Sequence, residues 1–215
     1  MYHPEIFAQN DRAAQQALME QHPFAVLLSN GKAGLEANPL PFLYCPDSQK
    51  LLAHVSRGNP VWRNVKSGAE VLVVFQGVNT YISPNYYASK ARDGKVVPTW
   101  NYIAVEVRGR LHWVMDTAAK REIVERLTTR HEASQASPWQ VSDAPEDYLQ
   151  GKLAGIVGLE VAIDTIQGKG KLNQNHPEEN RRSVIAALQQ PLQQPLQQQA
   201  GTATMVEAMR ATIEN

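Results

Sequence analysis

Short runs of alternating apolar and polar residues are the feature that most constrains the fold of this chain. Val157, Leu159 and Val161 recur at every second position within residues 156–166, and the same alternation runs through residues 100–115. A period of two is typical of a β-strand with one buried face. Shorter strand candidates lie at residues 24–29, 35–44, 50–56 and 69–76. Because no strand–helix–strand rhythm connects these runs, we predict a mainly β protein of the α+β class, with antiparallel strands in a closed barrel.

Helices are predicted to flank these strands. Asn10 or Asp11 suits the start of a helix over residues 11–21, and Pro23 lies just past its end. Pro39 and Pro41 confine the strand at residues 35–44 to an edge or a bulge. Two further helices are expected at residues 117–131 and 145–153.

The composition excludes some classes of protein. Lys plus Arg and Asp plus Glu both number 21, so the formal net charge is zero, which argues against a protein that mainly coats a phosphate backbone. The single cysteine, Cys45, allows no intrachain disulfide and favours a reducing compartment. No leader is visible, and no apolar run approaches the roughly 18 residues of a membrane span. We therefore expect a cytoplasmic protein with no membrane partner.

The C-terminal end has a different composition. Residues 188–199 read LQQPLQQPLQQQ, which is typical of a linker. We place one domain at residues 1–188, a Gln/Pro-rich linker at 189–201 and a last helix at 202–215, docked or fraying. We expect removal of residues 188–215 to leave the barrel folded.

The segment after the strand at residues 50–56 is the first candidate binding site. Gly58 allows a tight turn, Asn59 is a good N-cap and Pro60 suits a first helical position. This geometry predicts free backbone N–H groups beside Ser56 and Arg57, which would cradle a phosphate. The alternative is an ordinary strand-to-helix connection with a solvated arginine.

Two strand histidines, His54 and His112, have no partner in the sequence pattern that would predict a metal site. Each is more typical of a hydrogen-bonded structural residue, and haem binding through either one is a third hypothesis. The sequence has neither a nucleophile elbow nor a phosphate-loop signature, which argues against hydrolase and nucleoside-triphosphatase functions.

Aromatic and polar residues are concentrated in three further segments. Residues 81–90 hold three tyrosines and two serines, and residues 97–102 read VPTWNY at the start of the long strand. Such segments suit a flat heteroaromatic ligand or a dimer interface, and the two interpretations are compatible. Residues 168–175, GKGKLNQN, follow the last strand as a polar loop whose lysines would neutralise a phosphate.

Together these segments resemble the PaiB family of FMN-binding negative transcriptional regulators. The resemblance is carried by the opening MYHP, by HVSRGNPVW at residues 54–62, and by YISP at residues 81–84. VPTWNY and KLNQN at residues 171–175 complete it, in an order and spacing that span the chain to about residue 188.

The resemblance implies a split barrel similar to flavin reductases and pyridoxamine oxidases, in which a homodimer binds FMN at the subunit interface. It implies that the phosphate is held by Ser56, Arg57 and Asn59. It places His54 and Asn38 near the flavin. It implies that Ser83, Trp100 and Asn101 line the site and that Lys171 and Gln174 close it, from the same subunit or from the partner. The family usually has Ser and Arg where this chain has Asn173 and His176, so one positive charge is lost.

The resemblance also implies negative regulation of transcription. Since no helix-turn-helix is evident and the net charge is zero, regulation through a DNA or a protein partner stays open. The alternative is an FMN-dependent oxidoreductase of the flavin-reductase or pyridoxamine-oxidase type, acting on a small molecule. In that case the cofactor supplies the chemistry, and we assign no catalytic residue to the chain.

Overall fold

The computed structural model describes residues 1–190 and 201–214. The strands in this part are β1 (Ala8–Gln9), β2 (Phe24–Gly31), β3 (Gly34–Pro41), β4 (Leu43–Cys45), β5 (Lys50–Ser56), β6 (Glu70–Ile82), β7 (Thr99–Val114) and β8 (Ile156–Lys171). The helices are α1 (Arg12–Gln21), α2 (Val61–Asn64), α3 (Lys90–Asp93), α4 (Thr117–Glu132), α5 (Glu146–Ala154), α6 (Glu178–Gln189) and α7 (Thr202–Glu214).

The strands form one sheet in the order β3-β2-β6-β7-β8-β5-β4, and β1 pairs with β8. The pairs β1–β8, β2–β3, β2–β6, β4–β5 and β5–β8 are antiparallel, as predicted. The expectation of a closed barrel is wrong, because the path of described strands ends at β3 and β4 without joining them. Both end strands limit further pairing, since β3 carries Pro39 and Pro41 and β4 has only three residues. The sheet is therefore that of a split barrel.

Element boundaries agree with the predictions to different extents. β5 covers residues 50–56 as predicted, whereas β8 continues to Lys171, past the predicted end at residue 166. The polar end of β8 stays extended because β1 pairs with it, with Ala8 opposite Lys169 and Gln9 opposite Gly168. The polar stretch at residues 168–171 is thus strand and not loop.

The chain forms two compact units. The second unit comprises residues 16–75 and 106–166, and its core includes the fully buried Leu27, Val73 and Leu159. A Cβ atom on Gly109 of β7 would lie 2.2 Å from the Ala162 carbonyl oxygen of β8, so only glycine allows this close approach.

The first unit comprises residues 1–15, 76–105 and those from 167 onward. In its core, Ile82 and Leu172 pack together with one face of α6 and one face of α7. Met205 and Met209 of α7 are 0% and 1% exposed, so of the two alternatives for the last helix the structure shows the docked one. The reason is α6, an element that the sequence did not predict and that supplies the opposite wall. The proposed linker falls mostly on residues 191–200, outside the described residues.

None of the helices within the described ranges has both the length and the apolar character needed to cross a membrane.

Candidate functional site

Three cations surround the loop between β5 and α2, and we call Arg57, Arg63 and Lys120 the basic cluster. The guanidinium carbons of Arg57 and Arg63 lie 5.8 and 4.6 Å from the centroid of the Trp62 ring. The indole is itself fixed, because Trp62 Nε1 donates a hydrogen bond to the Arg57 carbonyl oxygen at 2.9 Å. Trp62 therefore gives both arginines an aromatic surface on which to stack.

The C-terminal end of α5 holds two members of the basic cluster. Arg57 donates from Nε to the Ala154 carbonyl at 2.7 Å and from its backbone N–H to the Gly155 carbonyl at 2.8 Å. Lys120 Nζ donates to the Leu153 carbonyl at 2.5 Å. These carbonyls lie where a helix leaves acceptors unsatisfied and its dipole is negative, so they suit cationic donors.

The basic cluster is not neutralised by carboxylates. In the part of the chain that the structure describes, Arg57, Arg63 and Lys120 form no salt bridge, whereas Arg108 and Arg121 are each paired with glutamates. Burial, followed by the positive charge of Arg57, lowers the pKa of Lys120, whereas the charge of Asp116 raises it. Because neither arginine has a salt-bridge partner among the described residues, the loop carries excess positive charge, which favours an anionic ligand.

The backbone of the loop differs from the predicted cradle of free amides. The N–H groups of Arg57, Gly58, Asn59 and Val61 all donate within the chain, to Gly155 O, Ser56 Oγ, Ser56 O and Asn59 Oδ1. The helix α2 that follows has only four residues. Anion binding here thus depends on side chains, because those four amides are already used to shape the turn.

The polar side chains predicted on this side of the site are brought together in the second unit. Asn59 Nδ2 donates to Asn38 Oδ1 at 2.8 Å, which ties β3 to the loop that carries Ser56 and Arg57. His54 lies on β5 opposite Gly158, and burial lowers its pKa, so the imidazole is neutral near pH 7. His54 Nδ1 is buried without a hydrogen-bond partner among the described residues.

The other predicted residues lie in the first unit, and three of them hold local structure. Lys171 Nζ contacts Thr99 Oγ1. Gln174 accepts from Leu172 N and donates to the Gly170 carbonyl, both at 2.6 Å. Ser83 Oγ accepts from Asn85 N at 3.2 Å.

Asn101 and Trp100 are neighbours with opposite exposure. Asn101 is fully buried, with its Nδ2 3.5 Å from Met209 Sδ and its Oδ1 unpartnered among the described residues. Trp100 is 47% exposed and packs edge-to-face on Tyr81, with ring centroids 5.9 Å apart. Only Trp100 of this pair presents a surface to solvent.

Sequence reasoning missed Tyr87, Asn173 and His176 as a group. The Tyr87 ring stacks on His176 at 4.9 Å, and its hydroxyl lies beside the Asn173 amide without a hydrogen bond of normal geometry. Both amide atoms of Asn173 are buried without partners in the described chain, on a backbone with φ of 64°. The segments were recognised from their composition, but the burial of these atoms depends on α6 and α7.

Lys120 was also missed, although the sequence carried a signal. It lies three residues before Ile123 and seven before Leu127, which places it on the apolar stripe of α4. A lysine on such a stripe is either a long side chain that reaches solvent or a buried cation, and the structure makes it 2% exposed.

Within residues 1–190 and 201–214, His, Cys, Asp and Glu side chains do not converge in groups of three that could hold a metal ion. His112 is exposed on β7, whereas His54 is half-buried on β5.

The split antiparallel sheet defines the class of the protein as a flavin-type split barrel, and solved structures support this class. The FAD and heme binding protein of Mycobacterium smegmatis is similar with a TM-score of 0.59 and 18% identity, over 94% of this chain and 96% of that one. The flavocytochrome Anf3 of Azotobacter vinelandii gives a TM-score of 0.57 and 13% identity, over 77% and 69%. At these identities the likeness concerns the fold.

The sequence comparisons identify the family. Residues 1–165 match the family described as "Putative FMN-binding domain". The protease synthase and sporulation protein PAI 2 of Bacillus subtilis is 31% identical over 88% of this chain and 89% of its own length. An uncharacterised protein of Emericella nidulans is 29% identical over 88% and 90%. The chain belongs to this FMN-binding family of the PaiB type, and FMN is its cofactor.

Proposed function

We propose that this chain is a homodimeric, cytoplasmic regulator that represses transcription and binds FMN by its phosphate at the basic cluster. The observation that carries the binding mode is Arg57, whose Nε donates to the Ala154 carbonyl of α5 and which has no carboxylate partner among the described residues. A positively charged, pre-oriented guanidinium without a carboxylate partner is suited to a phosphate.

The residues of the loop fit the phosphate of FMN. The bond from Nε to Ala154 leaves the two terminal nitrogens of Arg57 for a two-pronged interaction with phosphate oxygens. The exposed Ser56 hydroxyl and the Asn59 amide lie on the same loop and would donate to the remaining oxygens. When bound, FMN supplies the redox chemistry, while the chain supplies position and charge.

The flavin ring is proposed to lie near His54 and Asn38. A neutral imidazole with an unpartnered, buried Nδ1 is suited to one hydrogen bond with a polar edge of the ring. Following the family resemblance, we propose that Ser83, Trp100 and Asn101 line the site. Lys171 and Gln174 would close it, and we propose that they come from the partner subunit. Of these, Trp100 is exposed for stacking, whereas Lys171 and Gln174 would act by holding their segment in shape.

A homodimer is supported by an apolar face on the outside of the sheet. Leu28 of β2 stands opposite Ala37 of β3 and Leu72 of β6, and Leu35 is 85% exposed. These residues line a groove of about 610 Å³, which Arg108 borders with its salt bridge to Glu106. We propose a second copy of the chain as the occupant, because an apolar centre with an internally paired polar rim suits a self-complementary interface.

Regulation is supported by the extent of the likeness to the Bacillus subtilis protein, whose name connects it with protease synthesis and sporulation. The zero net charge gives no general affinity for DNA. We therefore propose that repression depends on the flavin-loaded dimer and acts on DNA directly or through a protein partner. A gel-shift experiment with and without FMN, at several salt concentrations, separates these two routes.

An FMN-dependent oxidoreductase acting on a small molecule is the second candidate. The observation that favours it is the exposed aromatic pair Trp100 and Tyr81. This pair offers a stacking surface among the residues that are proposed to line the flavin ring. Anaerobic reduction of the bound flavin by NADH or NADPH at a rate compatible with turnover would favour this function over regulation.

The first experiment is the absorbance spectrum of the purified protein, followed by titration with FMN and with riboflavin. A flavin spectrum and clearly tighter binding of FMN than of riboflavin are expected, because riboflavin lacks the phosphate. Equal affinities for the two flavins would contradict a phosphate site at the basic cluster. A monomer mass by light scattering would contradict the homodimer.

A further inference from the structure

We infer that Lys120 is a positioning residue, which orients Arg57 for the phosphate through the last turn of α5. The inference rests on the proposed function, since it concerns the same phosphate site. It adds a residue from α4 that no sequence motif marks and that does not itself reach the ligand.

The fold reserves space for Lys120 inside the second unit. The side chain is 2% exposed, although burial of a cation without an ionic partner is costly. Its stem passes Gly158 of β8, where an added Cβ would lie 3.4 Å from Lys120 Cγ and 3.1 Å from Val114 Cβ and Ile123 Cδ1. The burial of this lysine next to a glycine indicates that its ammonium group has a role.

That use is visible at three consecutive carbonyls. Leu153 O accepts from Lys120 Nζ, Ala154 O accepts from Arg57 Nε, and Gly155 O accepts from Arg57 N. Because adjacent peptide units are rigid planes joined at one Cα, fixing Leu153 O limits the directions in which Ala154 O and Gly155 O can point. The ammonium of Lys120 therefore sets the acceptors that aim Arg57.

Charge adds a second effect in the same direction. The two cations have no salt-bridge partner among the described residues, so each raises the positive potential at the loop. Lys120 is nevertheless too buried to touch a phosphate, which is why it acts through Arg57 and not beside it.

The test compares two substitutions at one position with a matched control. Lys120→Met removes the donor and the charge but keeps the length, whereas Lys120→Gln keeps a donor for Leu153 O. Lys152→Met removes a charge from the exposed side of α5, where the lysine lies over the Tyr148 ring. Each variant is checked for a cooperative melt and is then titrated with FMN and with riboflavin.

The expected result is a fall of roughly three- to tenfold in FMN affinity for Lys120→Met, as for one lost hydrogen bond. Lys120→Gln should lose less, Lys152→Met should lose almost nothing, and riboflavin affinity should not change in any of them. An unchanged FMN affinity in folded Lys120→Met protein would overturn the inference, as would an equal loss for both flavins.

A double substitution separates this inference from the proposed function. If Lys120 acts mainly through Arg57, then Lys120→Met causes a smaller loss in the Arg57→Ala background than in the native chain, whereas independent effects would add in full. Full FMN affinity in Arg57→Ala would instead refute the phosphate site itself. Should Lys120→Met not melt cooperatively, Lys120→Leu takes its place, because it also removes the donor to Leu153 O; normal FMN affinity there would contradict the inference.

Discussion

The loop after β5 and the segment around the end of β8 both hold residues that were predicted to form the site, but their polar groups differ in how far they are hydrogen-bonded. In the loop, the amides of Arg57, Gly58, Asn59 and Val61 are bonded and two guanidinium groups are stacked on Trp62. Around the end of β8, the polar atoms of Tyr87 and Asn173 are buried without hydrogen-bond partners among the described residues.

The two regions therefore differ in what a bound ligand would change. In the loop these four backbone amides are hydrogen-bonded and the two arginines have no salt-bridge partner among the described residues, so we expect an anion to bind there without rearrangement. The Tyr87–Asn173 region bears the cost of unsatisfied polar groups, and a water molecule or a ligand atom would relieve that cost. Its shape depends on α6 and α7, whereas the loop takes its shape from α5.

The largest expected effect tests the dependence of the first unit on α7. Met209→Ala should lower the free energy of unfolding by about 2–5 kcal/mol, because the side chain is 1% exposed and a cavity would remain. Chemical denaturation measures the change. Met115, which is 45% exposed, is the matched control, and Met115→Ala should change stability by less than about 0.5 kcal/mol. Equal effects would mean that α7 is not part of the core.

The next effect, on FMN affinity, tests whether Arg57 in the loop binds the phosphate. Arg57→Ala should weaken FMN binding roughly ten- to a hundredfold, because a charge-assisted hydrogen bond worth about 1.5–3 kcal/mol is lost. Arg57→Lys should restore part of the affinity, since it keeps the charge without the planar fork. Titrations followed by flavin fluorescence, with riboflavin as the ligand that should not respond, decide the matter.

A smaller effect of opposite sign is expected at Asn173. Asn173→Gly should stabilise the protein by about 1 kcal/mol, because it relieves a left-handed backbone and removes an unsatisfied buried amide. The change is measured by denaturation and compared with Asn175→Gly on the exposed part of the same segment. Destabilisation by Asn173→Gly would show that its amide has a partner when the protein is in solution.

The smallest effect is the pH dependence of stability that arises from His54 and His176. Burial lowers the pKa of His54 and of His176, so below about pH 6.5 the unfolded chain binds protons that the folded chain does not. Stability should therefore fall as the pH drops from 7 towards the folded pKa values, by at most about 1.4 kcal/mol per histidine and pH unit.

His54→Gln and His176→Gln should each flatten that pH dependence, which thermal melts at pH 7.0, 6.5, 6.0 and 5.5 would follow. His131, exposed at the end of α4, is the control residue, and His131→Gln should leave the slope as it was. A slope that none of the three substitutions changes would exclude both buried histidines as its source.

The sequence predicted what depends on local pattern. The short apolar run at residues 50–56 predicted the bounds of β5, and the prolines of β3 indicated an edge. The sequence did not predict α6, whose polar start at Glu178 and Glu179 hides a short apolar stripe. The predicted amide cradle was wrong because nothing local shows that Gly155, almost a hundred residues away, accepts the Arg57 N–H. A binding site depends on burial and on hydrogen-bond acceptors from distant parts of the chain, and neither can be predicted from a single segment.

Pro39 and Pro41 of β3 have a consequence beyond the pairing order. The strand keeps its register with β2 through both prolines, so their missing donors fall on the open side of the sheet. Such an edge cannot seed a stack of added strands, which is the route by which exposed sheets grow into fibrils. This border of the sheet is therefore closed to the addition of further strands, which is one route to aggregation.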